Sequence, residues 1–447
     1  MRNLRRTLPL LAATVLSVSS LGSGLTAVSA AGPGAPSSGI LCTTDSANGT
    51  NPQFSLTASA DYISMPDGNT IWTWSYGATG GSFQFPGPVL CVNQGDTVTV
   101  VLHNSLPEAT SIMFPGVDAV QADGAPAQPV FNGSGTLTSL VPAAAAGGSA
   151  TYSFVAANPG TYLYESGTDS GKQVQMGLYG ALVVRPAGHP DWAYANHGQP
   201  FGNFSSEFVM LLSEIDPNLH SAVELGQPYD VTALHPRYWL INGRAFPDTI
   251  APNDAAWLPN QPYSSLFHVT EQDTSLPTSD PNGPNQAPAL IRYLDAGSRN
   301  HPFHPHGQNG RVLARDAAPL YDAAGNDLSY ETFSFSIGSG QTWDQTYQYQ
   351  NQEHFSAADN PIPVTVPQLQ NLTFKDGATY YSGSPYIGSQ GKLPVGTTSY
   401  NECGEYYMVM HSHALYEAAN YDTGFGGMLT LERIDPITPA TGTTCTP

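Results

Sequence analysis

Short runs of β-branched and aromatic residues, broken at close intervals by Gly, Pro and Asn, constrain this chain more than any other feature. Thr97 to Leu102 (TVTVVL), Ala150 to Val155 (ATYSFV), Gly180 to Val184 (GALVV) and Phe333 to Ile337 (FSFSI) read as strands. No long stretch keeps a helical period over several turns, and no solenoid or propeller period repeats. Composition agrees, with 45 Gly, 38 Pro and 23 Tyr against 11% charged residues. That balance favours all-β domains of the sandwich type.

A loop-like stretch, Pro186 to Asn203, precedes a new strand at Phe208 to Leu212 (FVMLL) and sets a boundary. The first domain is expected over 45–186 and the second over 206–435. The second is long for one sandwich. The surplus is assigned to two insertions, a Pro/Asn/Asp-rich one at 271–288 and a Gly/Tyr/Pro-rich one at 356–402.

Residues 1–30 read as an export signal. Arg2, Arg5 and Arg6 precede a mostly apolar run, Leu8 to Leu21, and Val28-Ser29-Ala30 offers small residues for cleavage. The Arg5-Arg6 pair fits a twin-arginine signal as well as an ordinary secretory one. No later stretch is apolar enough to span a bilayer, so a soluble secreted, periplasmic or cell-surface protein is expected. Removing three arginines shifts the formal charge from −21 to about −24, which disfavours nucleic acid and anionic membrane as partners. Cys42, Cys91, Cys403 and Cys445 remain after cleavage, enough for two disulfides in any of three pairings.

Five of the twelve histidines fall in two short motifs, HPFHPHG (His301, His304, His306) and MVMHSHA (His411, His413). An H-x-H pair on a strand places both rings on one face, because strand side chains alternate. Two such pairs on neighbouring strands would gather four imidazoles, the nitrogen ligands preferred by copper and zinc. The other seven histidines carry no such pattern and are read as ordinary hydrogen-bonding residues.

Around these motifs the chain resembles the multicopper oxidase family. Phe85-Pro86-Gly87-Pro88 with Gly95-Asp96, GTYLYESG (Gly160 to Gly167) and GLYGALVV (Gly177 to Val184) resemble its first domain. YWLINGR (Tyr238 to Arg244), IRYLDAGSRNHPFHPHG (Ile291 to Gly307) and HSHALYE (His411 to Glu417), with Gly427-Met428 behind it, resemble its copper-binding segments. The resemblance implies two cupredoxin-like Greek-key β-sandwich domains. By position, His301 would be a type-1 copper ligand, and His304, His306, His411 and His413 trinuclear-cluster ligands.

The pattern also breaks. Where the family has the type-1 cysteine this chain has Ser412, and where it has the later type-1 histidine it has Glu417. In the first domain, Met113-Phe114-Pro115-Gly116 and Glu165-Ser166-Gly167 stand where the family has its H-x-H-G and H-S-H segments. A blue centre and four-electron reduction of oxygen as in a laccase are therefore not expected. A reduced site is, built from the second-domain histidines, with Glu165 as a further ligand, an acceptor that orients a histidine, or a solvated carboxylate. Met113 is either a soft thioether donor or a packing residue.

Such a site would hold copper, with iron, manganese or zinc also compatible, and leave a position open for a small-molecule or metal-ion substrate. Two-domain members usually close the cluster between subunits, so a homotrimer is a further expectation. No GxSxG, P-loop or dinucleotide-binding glycine pattern is present. Three functions fit: a copper-dependent oxidoreductase, a metal-binding or sequestering protein without turnover, and a sandwich scaffold with vestigial histidines.

Overall fold

The computed structural model describes residues 39–351, 374–376, 379–381, 405–421 and 423–437. The expected export signal, nearly all of the 356–402 insertion, Cys403 and Cys445 lie outside the described residues.

The first sandwich pairs a six-stranded with a four-stranded sheet. The six-stranded sheet runs Thr70–Ala78, Gln53–Ser64, Thr97–Asn104, Ser149–Val155, Gln121–Ala122 and Ala125–Pro126. The four-stranded one runs Cys42–Thr43, Val89–Asn93, Tyr179–Arg185 and Gly160–Glu165. Strands Thr97–Asn104 and Ser149–Val155 alternate buried and less buried residues, as period-two patterning requires. Their inward residues Val98, Val100, Leu102, Tyr152 and Phe154 join Phe54, Trp74 and Leu182 in one core.

In the second sandwich a nine-stranded sheet, centred on Ser206–Ile215, Ala289–Asp295 and Thr342–Tyr347, faces a five-stranded sheet. The latter runs Phe267–Thr270, Leu429–Asp435, Tyr406–Ser412, His301–Pro305 and Phe335–Ile337. The parallel pair Ser206–Ile215 and Ala289–Asp295 is buried almost throughout, without alternation. One face of Ser206–Ile215 sends Phe208, Met210 and Leu212 into the sandwich core. Its other face sends Val209, Leu211 and Ile215 against Val89, Leu163, Ala181 and Val183 of the first sandwich. A strand covered on both sides reads as a continuous apolar run.

The stretch before this strand is more ordered than its composition suggests. Trp192–Asn196 and Gln199–Asn203 pair as a two-stranded ribbon, turning at His197 and Gly198 with φ of 49° and 75°. Both values belong to the tight hairpin turns that glycine favours. Tyr194 and Phe201 anchor the ribbon against Leu290 and Leu313. The 271–288 segment, by contrast, is turn-rich and irregular apart from an isolated bridge at Gln272.

Cys42 and Cys91 form a disulfide joining two parallel strands of the first sandwich. At a sequence separation of 49, the chain-entropy argument assigns the bond about 4 kcal/mol. A Cys42→Ala/Cys91→Ala variant is expected to lose about that much unfolding free energy in denaturant titrations.

Candidate metal centre

Four of the five motif histidines come together at the edge of the second sandwich. Strands His301–Pro305 and Tyr406–Ser412 run antiparallel, and His304 lies directly opposite His411. Alternation along the first strand buries His301, Phe303 and Pro305 and turns His304 and His306 outward. On the second strand Met410 and Ser412 point inward, leaving His411 and His413 on the outer face. The rings of His304 and His306 are 4.7 Å apart, those of His306 and His411 5.2 Å, and those of His304 and His413 5.4 Å.

Two backbone carbonyls set the tautomers. His304 Nδ1–H donates to the Phe333 carbonyl at 2.6 Å, and His411 Nδ1–H donates to the Ser412 carbonyl at 2.7 Å. A carbonyl only accepts, so each ring carries its proton on Nδ1 and presents a lone pair at Nε2. His306 Nε2 and His411 Nε2 lie 3.2 Å apart. Two metal–nitrogen bonds of about 2.0 Å at a tetrahedral angle span about 3.3 Å. Burial, reinforced by the surrounding imidazoles, lowers the pKa of His306 and His411. Neutral rings are the form a metal needs. Imidazole nitrogens are donors that suit copper or zinc, but among the described residues no group of three or more His, Cys, Asp or Glu is placed to hold a metal ion.

His301 is placed elsewhere. Its side chain is fully buried inside the sandwich, where Nδ1–H donates to Glu417 Oε2 at 2.9 Å. The Ser412 hydroxyl donates to the same oxygen. The residues at the three expected type-1 positions thus do meet, but as a hydrogen-bonded Ser–Glu–His group. Nε2 of His301 faces Glu214 and Asp295, at 3.4 and 3.7 Å. Neither acid was singled out from sequence. The one available signal was that two apolar strands, Ser206–Ile215 and Ala289–Asp295, carry carboxylates near their ends, where buried strands otherwise hold apolar residues.

Glu165 ends a strand of the first sandwich, and its backbone exchanges two hydrogen bonds with Met113, at 2.8 and 3.1 Å. The two former ligand segments of that sandwich are therefore adjacent. Burial raises the Glu165 carboxyl to about 7. Its side chain joins none of the five histidines in a metal-holding group. Beside it, Phe114 packs on Tyr152, Phe154 and Tyr164, and the Ser166 hydroxyl donates to Gln173, so neighbouring positions have become core.

A multicopper oxidase family model matches residues 77–189, about a quarter of the chain, which lie in the first sandwich and the turn that follows it. Copper resistance protein A of Escherichia coli is 34% identical over 140 residues, 31% of this chain and 20% of that protein. Multicopper oxidase CTB12 of Cercospora beticola is 37% identical over 105 residues, 23% of this chain and 14% of that protein. The chain thus spans a fifth or less of the length of these two relatives. The blue copper oxidase of Nitrosomonas europaea superposes with a TM-score of 0.53 at 17% identity, covering 86% of this chain and 85% of that one. The multicopper oxidase mgLAC gives 0.54 at 18%, covering 88% and 89%. These two likenesses concern the fold, which is that of paired cupredoxin-like sandwiches. Residues 77–189 thus resemble a multicopper oxidase domain, and copper is the metal that these relatives imply.

Proposed function

We propose that this is an exported copper protein whose metal is held by His304, His306, His411 and His413, and that it acts as an oxidoreductase on a substrate that reaches this metal directly. The observation that carries the reading is the pairing of His304 opposite His411, with both Nδ1–H groups tied to carbonyls, so that both Nε2 atoms carry the lone pair, that of His411 lying 3.2 Å from His306 Nε2. Copper, when bound, supplies one-electron redox chemistry. The chain's own contribution is orientation: the Phe333 and Ser412 carbonyls hold two rings in one tautomer. With His301 engaged by Glu417, no relay centre of type-1 composition stands behind the site. Electrons therefore come from the substrate at the site or from an external donor.

The same substitutions favour a second reading, copper binding without turnover. Reactivity discriminates: a sequestering protein binds copper reversibly and its reduced form is inert to oxygen. Phe333, Leu415 and Tyr416 are exposed, and Phe333 lies against His304. Such a surface supports closure of the site by a second copy, as in a homotrimer, which light scattering of the copper-loaded protein would report.

Metal content and an electron paramagnetic resonance spectrum test the site. About one copper per chain with a nitrogen-rich type-2 signal is expected, and a His411→Ala/His413→Ala variant should lose most of both. Unchanged copper in that variant would remove the proposal.

A further inference from the structure

A cavity of about 660 Å³ opens in the second sandwich, beside the histidine site but using none of its imidazoles. It begins at Gly307, the residue after His306, and reaches Asn203 and Pro288 on its far side. The volume is that of a small-molecule site, but such sites are usually lined by apolar side chains. Here six lining residues carry side-chain amides: Asn203, Gln272, Gln308, Asn309, Gln348 and Gln350. Apolar lining is limited to Pro288, Leu313, Met408 and the rings of Tyr349 and Tyr406.

The floor is fixed. Tyr349 and Tyr406 are nearly buried, and their hydroxyls donate to the His306 carbonyl at 2.9 Å and to Glu271 Oε1 at 2.8 Å. Gly307, with φ of 84°, lets its loop close on the first ring, since a Cβ there would stand 3.1 Å from Tyr349 Cε1. Gln308 is positioned but not satisfied. Its Oε1 accepts the Gln348 backbone N–H at 3.2 Å, while its buried Nε2 has no hydrogen-bond partner among the described residues. A buried donor left unpaired is costly, and an acceptor arriving with a ligand removes that cost.

The charges in the lining narrow the ligand. The one guanidinium, Arg311, is already committed to Asp327 and, through Nε at 2.7 Å, to the Ser329 hydroxyl. The two carboxylates are Glu271, which is tied to Tyr406, and Glu331, which is exposed at the rim. An anion would meet these acids without a spare cation, and a cation would find no uncommitted buried counter-charge. An uncharged molecule remains. A hydroxyl both donates and accepts, as a side-chain amide does, so a hydroxyl-rich ligand can pair with this lining throughout. The apolar C–H face of a sugar ring also suits a tyrosine floor.

We infer that this cavity binds a neutral carbohydrate, with Gln308 Nε2 and the neighbouring amides pairing with sugar hydroxyls above Tyr349 and Tyr406. The inference stands apart from the metal reading, since no imidazole takes part.

Maltotriose, cellotriose and tri-N-acetylchitotriose are the soluble probes, titrated calorimetrically into the full chain. Co-sedimentation with insoluble cellulose and chitin is the polymer arm. Saturable binding of at least one probe, at about one site per chain, is expected. Binding of a trisaccharide assigns a free sugar, and binding in the sedimentation arm alone assigns a polymer chain; either sustains the inference. Gln308→Ala/Asn309→Ala should weaken the binding at least tenfold, whereas Glu331→Gln should leave it unchanged. If circular dichroism shows the double variant unfolded, Gln308→Ala alone provides the reading. No binding in either arm would overturn the inference, as would equal binding by the native and Gln308 variants. A preference for a glucosamine trimer that Glu331→Gln abolishes would also overturn it, making the ligand a cation.

Discussion

Arg292→Ala is expected to lower the unfolding free energy by roughly 3–5 kcal/mol, the cost typical of breaking a buried ion pair from one side. The Arg292 side chain is fully buried, and Nε donates to Glu207 Oε1 at 2.6 Å. One terminal nitrogen reaches Thr161 Oγ1 at 3.0 Å and Asp344 Oδ2 at 3.4 Å. Glu207 also pairs with Arg185. Thr161 and Arg185 belong to the first sandwich and Glu207, Arg292 and Asp344 to the second, so the cluster ties the two together. Removing the guanidinium leaves Asp344 buried without its cation and Glu207 with only one. Arg292→Lys should fall between, since an ammonium keeps the charge but not the fork. The guanidinium chloride midpoint measures the loss. A change under 1 kcal/mol would show that the cluster is held by other means.

The pH dependence follows from the same group. Burial pushes the Glu207 carboxyl up, but Arg292 and Arg185 outweigh it and hold the pKa below its usual value of 4.5. A depressed folded pKa contributes stability that is complete above the unfolded value and fades as pH falls through the folded one. Native protein should therefore lose stability on acidification below about pH 4.5, and Arg292→Ala should show a shallower loss there.

A Ser412→Cys/Glu417→His variant, given Cu²⁺, is expected to gain an intense visible thiolate-to-copper absorption that the native protein lacks. The geometry for it exists: His301 Nδ1 and the Ser412 hydroxyl already converge on Glu417. Two substitutions restore a His₂Cys donor set around that point. Ser412→Cys alone should stay nearly colourless, because the Glu417 carboxylate keeps the place of the second imidazole. Without copper, the double variant loses the acceptor for His301 and should be less stable by about 1–3 kcal/mol. A colourless double variant that binds copper only through the surface histidines would show that the site no longer has room for the ion.

Much of this was legible without coordinates. Period-two runs such as TVTVVL and ATYSFV are strands with the expected inward faces, because a strand's side-chain direction is set by its own backbone. The H-x-H spacing placed His304 with His306 and His411 with His413 on common faces for the same reason. Sequence could not supply strand neighbours: that His304 sits opposite His411 depends on antiparallel pairing across more than a hundred residues of chain. Period two sets His301 on the face opposite His304 and His306, but only the sheet's orientation decides which of the two faces meets the core. The ribbon at Trp192–Asn203 was hidden because its Pro and Gly content reads as loop, while its order comes from Tyr194 and Phe201 packing on a distant strand.

Local chemistry in the sequence thus determined the strand class, the outward imidazole pairs and the loss of the thiolate at Ser412. Tertiary structure alone decided that Glu214, Asp295 and Glu417 surround His301, and that Arg292 bridges two sandwiches. Buried charges find their partners across space, and residues that meet only after the sheets have packed leave no periodic mark on the chain.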